Sequence, residues 1–367
     1  VIGIGIQFFL FVSQIEKGLI PTFERPPGVE AFLPISALLG LKHLFYSGVI
    51  NDIHPSALVI FLIVCTTAFI VKKGFCSWIC PIGLLSEFLR KLHLKLFKKS
   101  LKLPLWADVF LRSLKYMLAG FFIYQIFYKM PPASIEQFIH SPYNQFADVK
   151  MLYFFTQIST TALTVIVVLV ILSIVIPNFW CRYLCPYGAI LGIISFFSFG
   201  KIKRNPEHCT KCGKCEQNCL GLIRIRQKEA IFSSECTACL SCVNACPEKH
   251  AIGFSMVPGK PSLSAPIIGI IFVFLFVTGI SMAKISDNWQ NSIPIGAYFE
   301  FARQKNNVSI YSHPDIDSET VKKVMAMIRA GKKDQTKNTS GIEGKNDSES
   351  NELFSQDERQ QQMPTKN

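Results

Sequence analysis

The chain has 367 residues and a formal net charge of +13, yet half of its residues are hydrophobic and 31 are phenylalanine. This composition excludes an ordinary soluble protein and is typical of a membrane protein. The positive charge does not indicate nucleic-acid binding, because cytoplasmic loops of membrane proteins are rich in lysine and arginine. We therefore expect no nucleic-acid partner. Since the chain starts at Val1 inside an apolar run, we expect further residues to precede it.

Five apolar segments are predicted to cross the membrane, for which a full helix needs about 20 apolar residues. In chain order they are residues 1–12, which form the visible part of a first span, and then 56–71, 114–128, 152–176 and 265–283. Residues 31–45 are also apolar, but this stretch is short and contains Pro34. We expect it to form an interfacial or re-entrant helix.

Residues 84–103 combine lysine and arginine with apolar residues at helical spacing. This pattern predicts a basic amphipathic helix that lies on an anionic membrane surface. A solvated charged helix is the alternative, but its leucines would then lack a partner. Lys115 lies near the entry of the third span, from where a long side chain can extend to the membrane surface.

The basic residues also predict the topology. The loops 72–104 and 178–264 are strongly positive, whereas the loops 14–54 and 129–151 are not. By the positive-inside rule the basic loops lie in the cytoplasm. We therefore expect a multi-pass protein of a bacterial inner membrane, with the tail after Ala283 on the periplasmic side.

The phrase CxxxCPxG occurs twice, each time after an apolar span of the same direction. One copy contains Cys76 and Cys80, and the other contains Cys181 and Cys185. This repeat predicts two halves of parallel topology, related about an axis along the membrane normal. The four thiols could bind a further metal centre or cluster, could be redox-active, or could pack as small apolar residues.

Two cysteine runs with the spacing CxxCxxCxxxC follow the second copy. Three thiolates this close together can hold three corners of an iron–sulfur cube, and the fourth cysteine of each run reaches the other cube. One predicted [4Fe–4S] ligand set is Cys209, Cys212, Cys215 and Cys246, and the other is Cys236, Cys239, Cys242 and Cys219. Zinc, which needs four ligands, would leave half of each run unexplained, and a disulfide framework is the other alternative.

These motifs together resemble the NapH/NosR/CcoG group of membrane-bound polyferredoxins. The resemblance covers residues 1–283 and is closest to a NapH-like core with an extra C-terminal tail. The flavin-binding outer domain of NosR would precede the first span and is not visible, and the tail is too short and polar for the β-sandwich of CcoG-like members. The resemblance implies electron transfer between the quinone pool and a partner redox protein, or reduction of a metal during enzyme maturation.

The predicted fold is a mainly α-helical polytopic membrane protein with an inserted, small α+β two-cluster ferredoxin-like domain of the bacterial type. The chain divides into a membrane domain (1–200), the ferredoxin-like domain (201–256), a last transmembrane helix (264–283), a small polar region with a helix at 318–330 (284–331) and a disordered tail (332–367).

The predicted function is that of a redox subunit of a larger oxidoreductase system, similar to a quinol dehydrogenase, which moves electrons through two [4Fe–4S] clusters. A factor that reduces or transfers a metal such as copper is the main alternative, and an inert membrane anchor is a third. Oxidation of a quinol also needs proton acceptors near the ring, and Glu30 and His43 are the predicted ones because they flank the re-entrant segment. A hydrogen-bonded structural histidine is the more ordinary interpretation of His43.

Overall fold

The computed structural model describes residues 2–97, 103–248, 250–256 and 262–304. All of them belong to one compact unit, residues 1–312, and the predicted helix at 318–330 and the predicted disordered tail lie outside the described residues. In chain order helices α1 to α15 are Ile2–Glu16, Pro34–Ser47, Pro55–Val71, Phe75–Trp78, Pro81–Phe97, Leu105–Tyr124, Pro132–Ile139, Pro142–Gln145, Ala147–Thr156, Thr160–Val175, Pro186–Phe196, Lys214–Gln217, Ser241–Asn244, Ala265–Ile285 and Ile295–Gln304. A 3₁₀ helix at Pro27–Phe32 and π-helical turns at Gln125–Lys129 and Trp180–Leu184 complete the helical part.

Helix α3 lies at the centre of the helical part. It is apolar on all sides and most of its residues are buried, as expected for a helix surrounded by other helices. Helices α2, α11 and α14 pack against it. A proline in its first turn, Pro55, starts the helix, and Lys72 ends it with a left-handed backbone (φ 59°).

The two CxxxCP copies have similar local structures. In each, an apolar helix (α3 or α10) is followed by a residue with positive φ, Lys72 or Asn178. A short helical turn with the first cysteine comes next, and the proline after the second cysteine begins α5 or α11. Proline suits this position because its missing N–H is not needed in the first turn of a helix.

Several helices depart from the predicted spans. The fourth predicted span, residues 152–176, is not one helix: α9 and α10 meet at a 78° bend, because Ser159 accepts a hydrogen bond from the Ala162 N–H and starts a new helix. The third span begins earlier than expected, at Leu105. The re-entrant segment is the helix α2, which Pro34 begins rather than breaks.

Only α14 is both long and apolar enough to cross a membrane among the described residues, and the bent pair α9 and α10 would be a second if it counts as one span. Within α14 only 11% of the best 18-residue window is buried. Large apolar side chains of α10 are exposed as well, for example Val168 and Ile171. Exposed apolar faces of this size are typical of lipid contact.

Helix α5 buries a polar face instead of presenting it to solvent. The buried residues Ser86, Leu89, Arg90 and His93 follow helical spacing, while Phe88 and Leu96 are exposed. An exposed apolar face fits the predicted membrane surface. Arg90, however, points into the protein and is not part of a solvated basic face.

The ferredoxin-like region contains a two-stranded antiparallel sheet. Strand β1 (Lys201–Arg204) pairs with β2 (Ile252–Ser255), so that Ile202 lies opposite Phe254. Both of these side chains are buried. The sheet joins the start and the end of the region, and the cysteine runs lie between its two strands in the chain.

The predicted outer loops and the ferredoxin-like region contact opposite ends of α3. At the first end, His54 bonds the Asn144 carbonyl and Ser292 bonds Asp52. At the other end, the Lys73 N–H bonds the Cys236 carbonyl at 3.4 Å. Because α3 has 17 residues, these ends are about 25 Å apart at 1.5 Å per residue.

A buried ion network closes the first end of α3. Arg25 bonds Glu30 at 2.8 Å and Asp148 at 2.7 Å. Both ring nitrogens of His54 face acceptors, Glu30 at 3.2 Å and the Asn144 carbonyl at 2.7 Å. A doubly protonated ring satisfies both acceptors, and two cations then balance two carboxylates.

This network predicts a loss of stability at alkaline pH. Burial alone would lower the pKa of His54, but the hydrogen bond and the charge of Glu30 raise it above its usual range. A histidine of this kind stabilises the fold fully below its unfolded pKa of about 6.5, and the contribution is lost as the pH rises through the folded pKa. We expect the thermal midpoint in detergent to fall between pH 6 and pH 9. In His54→Gln the fall should be smaller, and an equal fall in both proteins would contradict this assignment.

Candidate metal centre

Two cavities in the ferredoxin-like region are each lined by four cysteines. The first, here named the exposed cavity because its Cys212 is exposed, is lined by Cys209, Cys212, Cys215 and Cys246. The second, named the buried cavity because three of its cysteines are buried, is lined by Cys219, Cys236, Cys239 and Cys242. They enclose about 350 and 360 Å³, including their open mouths. Each cavity therefore combines three cysteines of one run with the fourth cysteine of the other, the arrangement that a two-cluster ferredoxin needs.

The two cysteine runs fold the backbone in the same way. Lys211 and Ala238 occupy equivalent places before the second cysteine of each run, and both have positive φ (57° and 49°). Gly213 and Leu240 follow that cysteine, again with positive φ (81° and 60°). Left-handed residues at these places turn successive N–H groups toward one point and create a concavity suited to anions.

The surroundings of the two cavities differ. Cys212 is exposed, and hydrogen bonding from the backbone of Lys214 lowers the pKa of its thiol. Cys219 is buried, which raises the pKa of its thiol to about 11. A bound metal would deprotonate such a thiol. We expect the exposed cavity to exchange with solvent and the buried cavity to be protected from it.

Four cysteines lie around each cavity. Across the described ranges of the chain, no three His, Cys, Asp or Glu side chains converge closely enough to hold one metal ion. Thiols spread around a cavity instead suit a four-iron cube, whose corners bind one thiolate each.

The four CxxxCP cysteines are close neighbours. The thiols of Cys80, Cys181 and Cys185 all interact electrostatically with that of Cys76. Burial raises the pKa of Cys181 to about 11, so this thiol is not a reactive thiolate by itself. A metal ligand or a packed side chain is therefore a better interpretation of this cysteine than a free redox-active thiol.

Both CxxxCP loops contact the loops that line the buried cavity. From the first, the Ser77 hydroxyl donates to the Thr237 carbonyl at 2.7 Å and the Trp78 indole to the Ala238 carbonyl at 3.1 Å. From the second, the Asn178 amide donates to the Leu220 carbonyl at 2.6 Å, and Arg182 donates to the carbonyl of the next residue, Gly221. The CxxxCP cysteines therefore lie beside the buried cavity.

A buried ion triad reinforces this contact. Glu235, which directly precedes Cys236, bonds Lys115 at 2.6 Å and Lys73 at 3.5 Å. Burial would raise the pKa of Glu235, but the two ammonium groups lower it to about 2. The sequence predicted that Lys115 would extend to the membrane surface. It is instead fully buried, because a carboxylate from the ferredoxin-like region reaches it.

The structure does not bring Glu30 and His43 together. Glu30 accepts bonds from Arg25, His54, Ser56 and the backbone of α3, so its oxygens are already occupied. Its predicted role in proton transfer stays a prediction. Both residues lie at the end of α3 that is remote from the CxxxCP cysteines.

His43 belongs to a half-exposed cluster around Glu136. That carboxylate contacts His43 at 3.3 Å and His140 at 3.1 Å, and it accepts a bond from Tyr46 at 3.1 Å. The hydrogen bond with Glu136 raises the pKa of both histidines. Such a cluster can take up protons at its open side.

Sequence reasoning missed the ionic partners of these sites. It did not identify Arg25, Asp148, Lys73, Glu235 or Glu136. Each lies in a loop or at a helix end among many other charged residues, and the partners are far apart in sequence, as Lys73 and Glu235 are. A charged residue directly before a ligand cysteine, as Glu235 is, was the one available signal.

Comparisons with known proteins agree with this geometry. A family model described as "4Fe-4S dicluster domain" matches residues 201–247. A second model, "4Fe-4S binding domain", matches twice, at 53–104 and 158–205, and so includes both CxxxCP copies. The double match supports the internal repeat. No solved structure is significantly similar to the chain.

The dicluster match and the two cavities define a ferredoxin-type 4Fe–4S protein, a class whose members carry electrons. The chain is 39% identical over 303 residues to the "Putative electron transport protein YccM" of Escherichia coli (strain K12), which covers 81% of this chain and 85% of YccM. It therefore belongs to the polyferredoxin family that includes YccM.

More distant relatives include two proteins of the group that the motifs resembled. "Ferredoxin-type protein NapH" of Haemophilus influenzae is 24% identical over 201 residues, 51% of this chain and 64% of NapH. "Regulatory protein NosR" of Pseudomonas aeruginosa is 27% identical over 219 residues, 57% of this chain and 29% of NosR. The chain thus spans only part of either protein.

The cavity linings predict which cysteine variants behave alike. Cys219→Ala should abolish the same EPR signal as Cys236→Ala, because both line the buried cavity. Cys246→Ala should instead match Cys209→Ala. The measurement is low-temperature EPR of the reduced proteins. If Cys219→Ala matched Cys209→Ala, each run would hold its own cluster and the assignment would be wrong.

The glycines of the two CxxxCPxG copies are expected to differ in how well they tolerate substitution by alanine. A Cβ at Gly83 would overlap the Cys76 carbonyl, whereas one at Gly188 would lie 3.5 Å from the Cys181 carbonyl, an ordinary contact. Overpacking typically destabilises by about 1–3 kcal/mol. We expect Gly83→Ala to lower the thermal midpoint clearly and Gly188→Ala, the matched control, to change it little. Equal effects would contradict the close approach at Gly83.

Proposed function

We propose that this protein carries electrons between the membrane quinone pool and a partner redox protein. The exposed cavity would hold one [4Fe–4S] cluster through Cys209, Cys212, Cys215 and Cys246, and the buried cavity would hold the second through Cys236, Cys239, Cys242 and Cys219. A bound cluster supplies one-electron redox chemistry. The proposal is carried by the contact of both CxxxCP loops with the buried cavity, which gives a continuous series of cysteine sites.

The CxxxCP cysteines would hold a further iron–sulfur centre. Their burial and mutual proximity suit four ligands of one cluster, and the double match to a 4Fe–4S binding model supports the same assignment. The position of Lys73 beside Cys76 and Cys185 supplies positive charge to an anionic centre. The contacts of both CxxxCP loops with the loops of the buried cavity favour electron transfer over metal delivery.

Electrons would pass to the partner from the cluster in the exposed cavity. Cys212 is exposed, and exposed lysines such as Lys214 surround it. A partner with an acidic surface would be attracted to this side, with an association rate that falls as the ionic strength rises. The CxxxCP loops would face the opposite, membrane side of the series.

The apolar helices support the proposed location in the membrane. Helix α14, the bent pair, the shorter apolar helices α1 and α3 and helix α6, which contains the predicted third span, would together form a multi-pass domain in the inner membrane. The ferredoxin-like region would then lie in the cytoplasm, where the basic loops place it. Protons released by a quinol would be taken up at His43, Glu136 and His140, the open cluster at the other end of α3.

The series of sites can be tested with a variant in which Cys76, Cys80, Cys181 and Cys185 are all changed to Ser. We expect a reduced quinol analogue to reduce the two ferredoxin-like clusters in the wild type and to fail in the variant, at least a hundredfold more slowly. Dithionite should reduce the clusters in both proteins, as stopped-flow absorbance would show. Equal quinol-driven rates would remove the CxxxCP cysteines from the path.

The proton acceptor can be tested separately with His43→Ala. The expected result is a slower quinol-driven reduction, about tenfold to a hundredfold, with an unchanged rate for dithionite; general bases typically contribute about 10²–10⁴-fold. His208→Ala, an exposed histidine in the ferredoxin-like region, serves as the control. An unchanged quinol rate in His43→Ala would place the quinone at another part of the protein.

A further inference from the structure

Three buried cations interact with cysteines that line the buried cavity. Lys72, Lys73 and Arg90 expose only 0%, 3% and 5% of their surface. Lys72 and Lys73 interact electrostatically with Cys236, and Arg90 with Cys219 and Cys239. They come from different segments, the end of α3 and the middle of α5, and act on cysteines of the same cavity.

Two carboxylates, Glu235 and Glu87, act on these cations, but each is also paired with a further lysine, Lys115 or Lys91, so the charges do not balance. Lys73 shares the single carboxylate of Glu235 with Lys115. The ammonium of Lys72 donates to the Ser195 carbonyl at 3.0 Å, and Arg90 donates to the Gln217 carbonyl at 2.8 Å, both neutral acceptors. Buried charges are normally paired or lie next to metal centres, so this surplus of positive charge needs an anion.

One nitrogen of Arg90 also lacks a partner. Its Nε is buried and has no hydrogen-bond acceptor among the described residues. Unpaired buried donors are rare in proteins and call for an explanation. Since Arg90 lies beside Cys219 and Cys239, an acceptor at the cavity, such as a cluster sulfur, would complete its bonding.

The exposed cavity is also lined by three cations, Arg204, Lys211 and Arg226, but none of them is buried. Its neighbour Arg226 is about half exposed and pairs with Glu216 at 3.3 Å. Cys212 is open to solvent. Water and salt screen charges at such a surface far more than in the interior. The two cavities therefore differ in how strongly neighbouring cations can act on their contents.

We propose that Lys72, Lys73 and Arg90 form a cationic cradle that raises the reduction potential of the cluster in the buried cavity. This inference rests on the proposed function, in which that cavity holds a [4Fe–4S] cluster. The three residues are positioning residues: they act on the cluster through their charge and, for Arg90, through a hydrogen bond from Nε.

The direction of the effect follows from charge. A [4Fe–4S] cluster with four thiolates gains one electron on reduction and becomes more negative by one unit. A nearby buried cation stabilises the reduced form more than the oxidised form, which raises the potential. The cradle would make the buried cluster the better electron acceptor of the two, beside the CxxxCP cysteines.

The test is an EPR redox titration of the whole protein, with dithionite as reductant, on wild type, Arg90→Gln and Lys91→Gln. Lys91 is the next residue of the same helix, and its side chain is 72% exposed. In Arg90→Gln we expect at least a tenfold lower ratio of reduced to oxidised buried cluster at a fixed potential, a shift of about 59 mV for one electron. Lys91→Gln should not shift, and the exposed cluster should change little in either variant.

Two further variants separate tuning from folding. Arg90→Lys keeps the charge and should restore most of the potential, and Lys72→Gln should lower it as Arg90→Gln does. Iron content is measured alongside, so a variant that loses the cluster is recognised and Lys72→Gln then decides. Full iron content with unchanged potential in Arg90→Gln and Lys72→Gln would overturn the cradle. A wild type without a second cluster signal would overturn the proposed function instead.

Discussion

The ion triad of Lys73, Glu235 and Lys115 is the contact on which the rest of the site depends. Glu235 belongs to the ferredoxin-like region, whereas the two lysines belong to the helical part. Removing one member of a buried ion group leaves an uncompensated charge, which is strongly destabilising. The second cysteine run is therefore fixed at the end of α3. This contact holds the loops of the buried cavity beside the CxxxCP loops.

The sequence predicted the cysteine chemistry better than its surroundings. The spacing of the two runs is local information, and it was enough to predict the 4Fe–4S class and the two groups of four cysteines that line the cavities. The repeat of CxxxCP could also be recognised from the sequence alone. The partners of Lys115 and Arg90 were not, because Glu235 and Gln217 are more than 100 residues away along the chain. Lysine and arginine in apolar helices usually reach the surface, and here buried acceptors bind them instead.

Sequence-based prediction reached the same limit in the helical part, because contacts between distant segments decide its structure. Hydropathy identified α3 and α14, but it could not predict that Ser159 divides α9 from α10 or that Tyr298 and Phe301 of α15 pack on Phe146. It also could not separate a proton acceptor from a structural carboxylate. Glu30 became part of a closed network with Arg25 and His54, while His43 remained in an open one with Glu136. Only the arrangement of neighbouring side chains distinguishes these two cases.

The proposed electron path depends on a third centre, held by the CxxxCP cysteines beside the buried cavity. This centre is tested most directly by iron and acid-labile sulfide per chain, combined with Mössbauer spectroscopy, in anaerobically purified wild type and in the variant with all four CxxxCP cysteines changed to Ser. Since each cube contains four irons, we expect about twelve irons in the wild type and about eight in the variant. About eight irons in both proteins would contradict it and would leave the CxxxCP cysteines as packing residues.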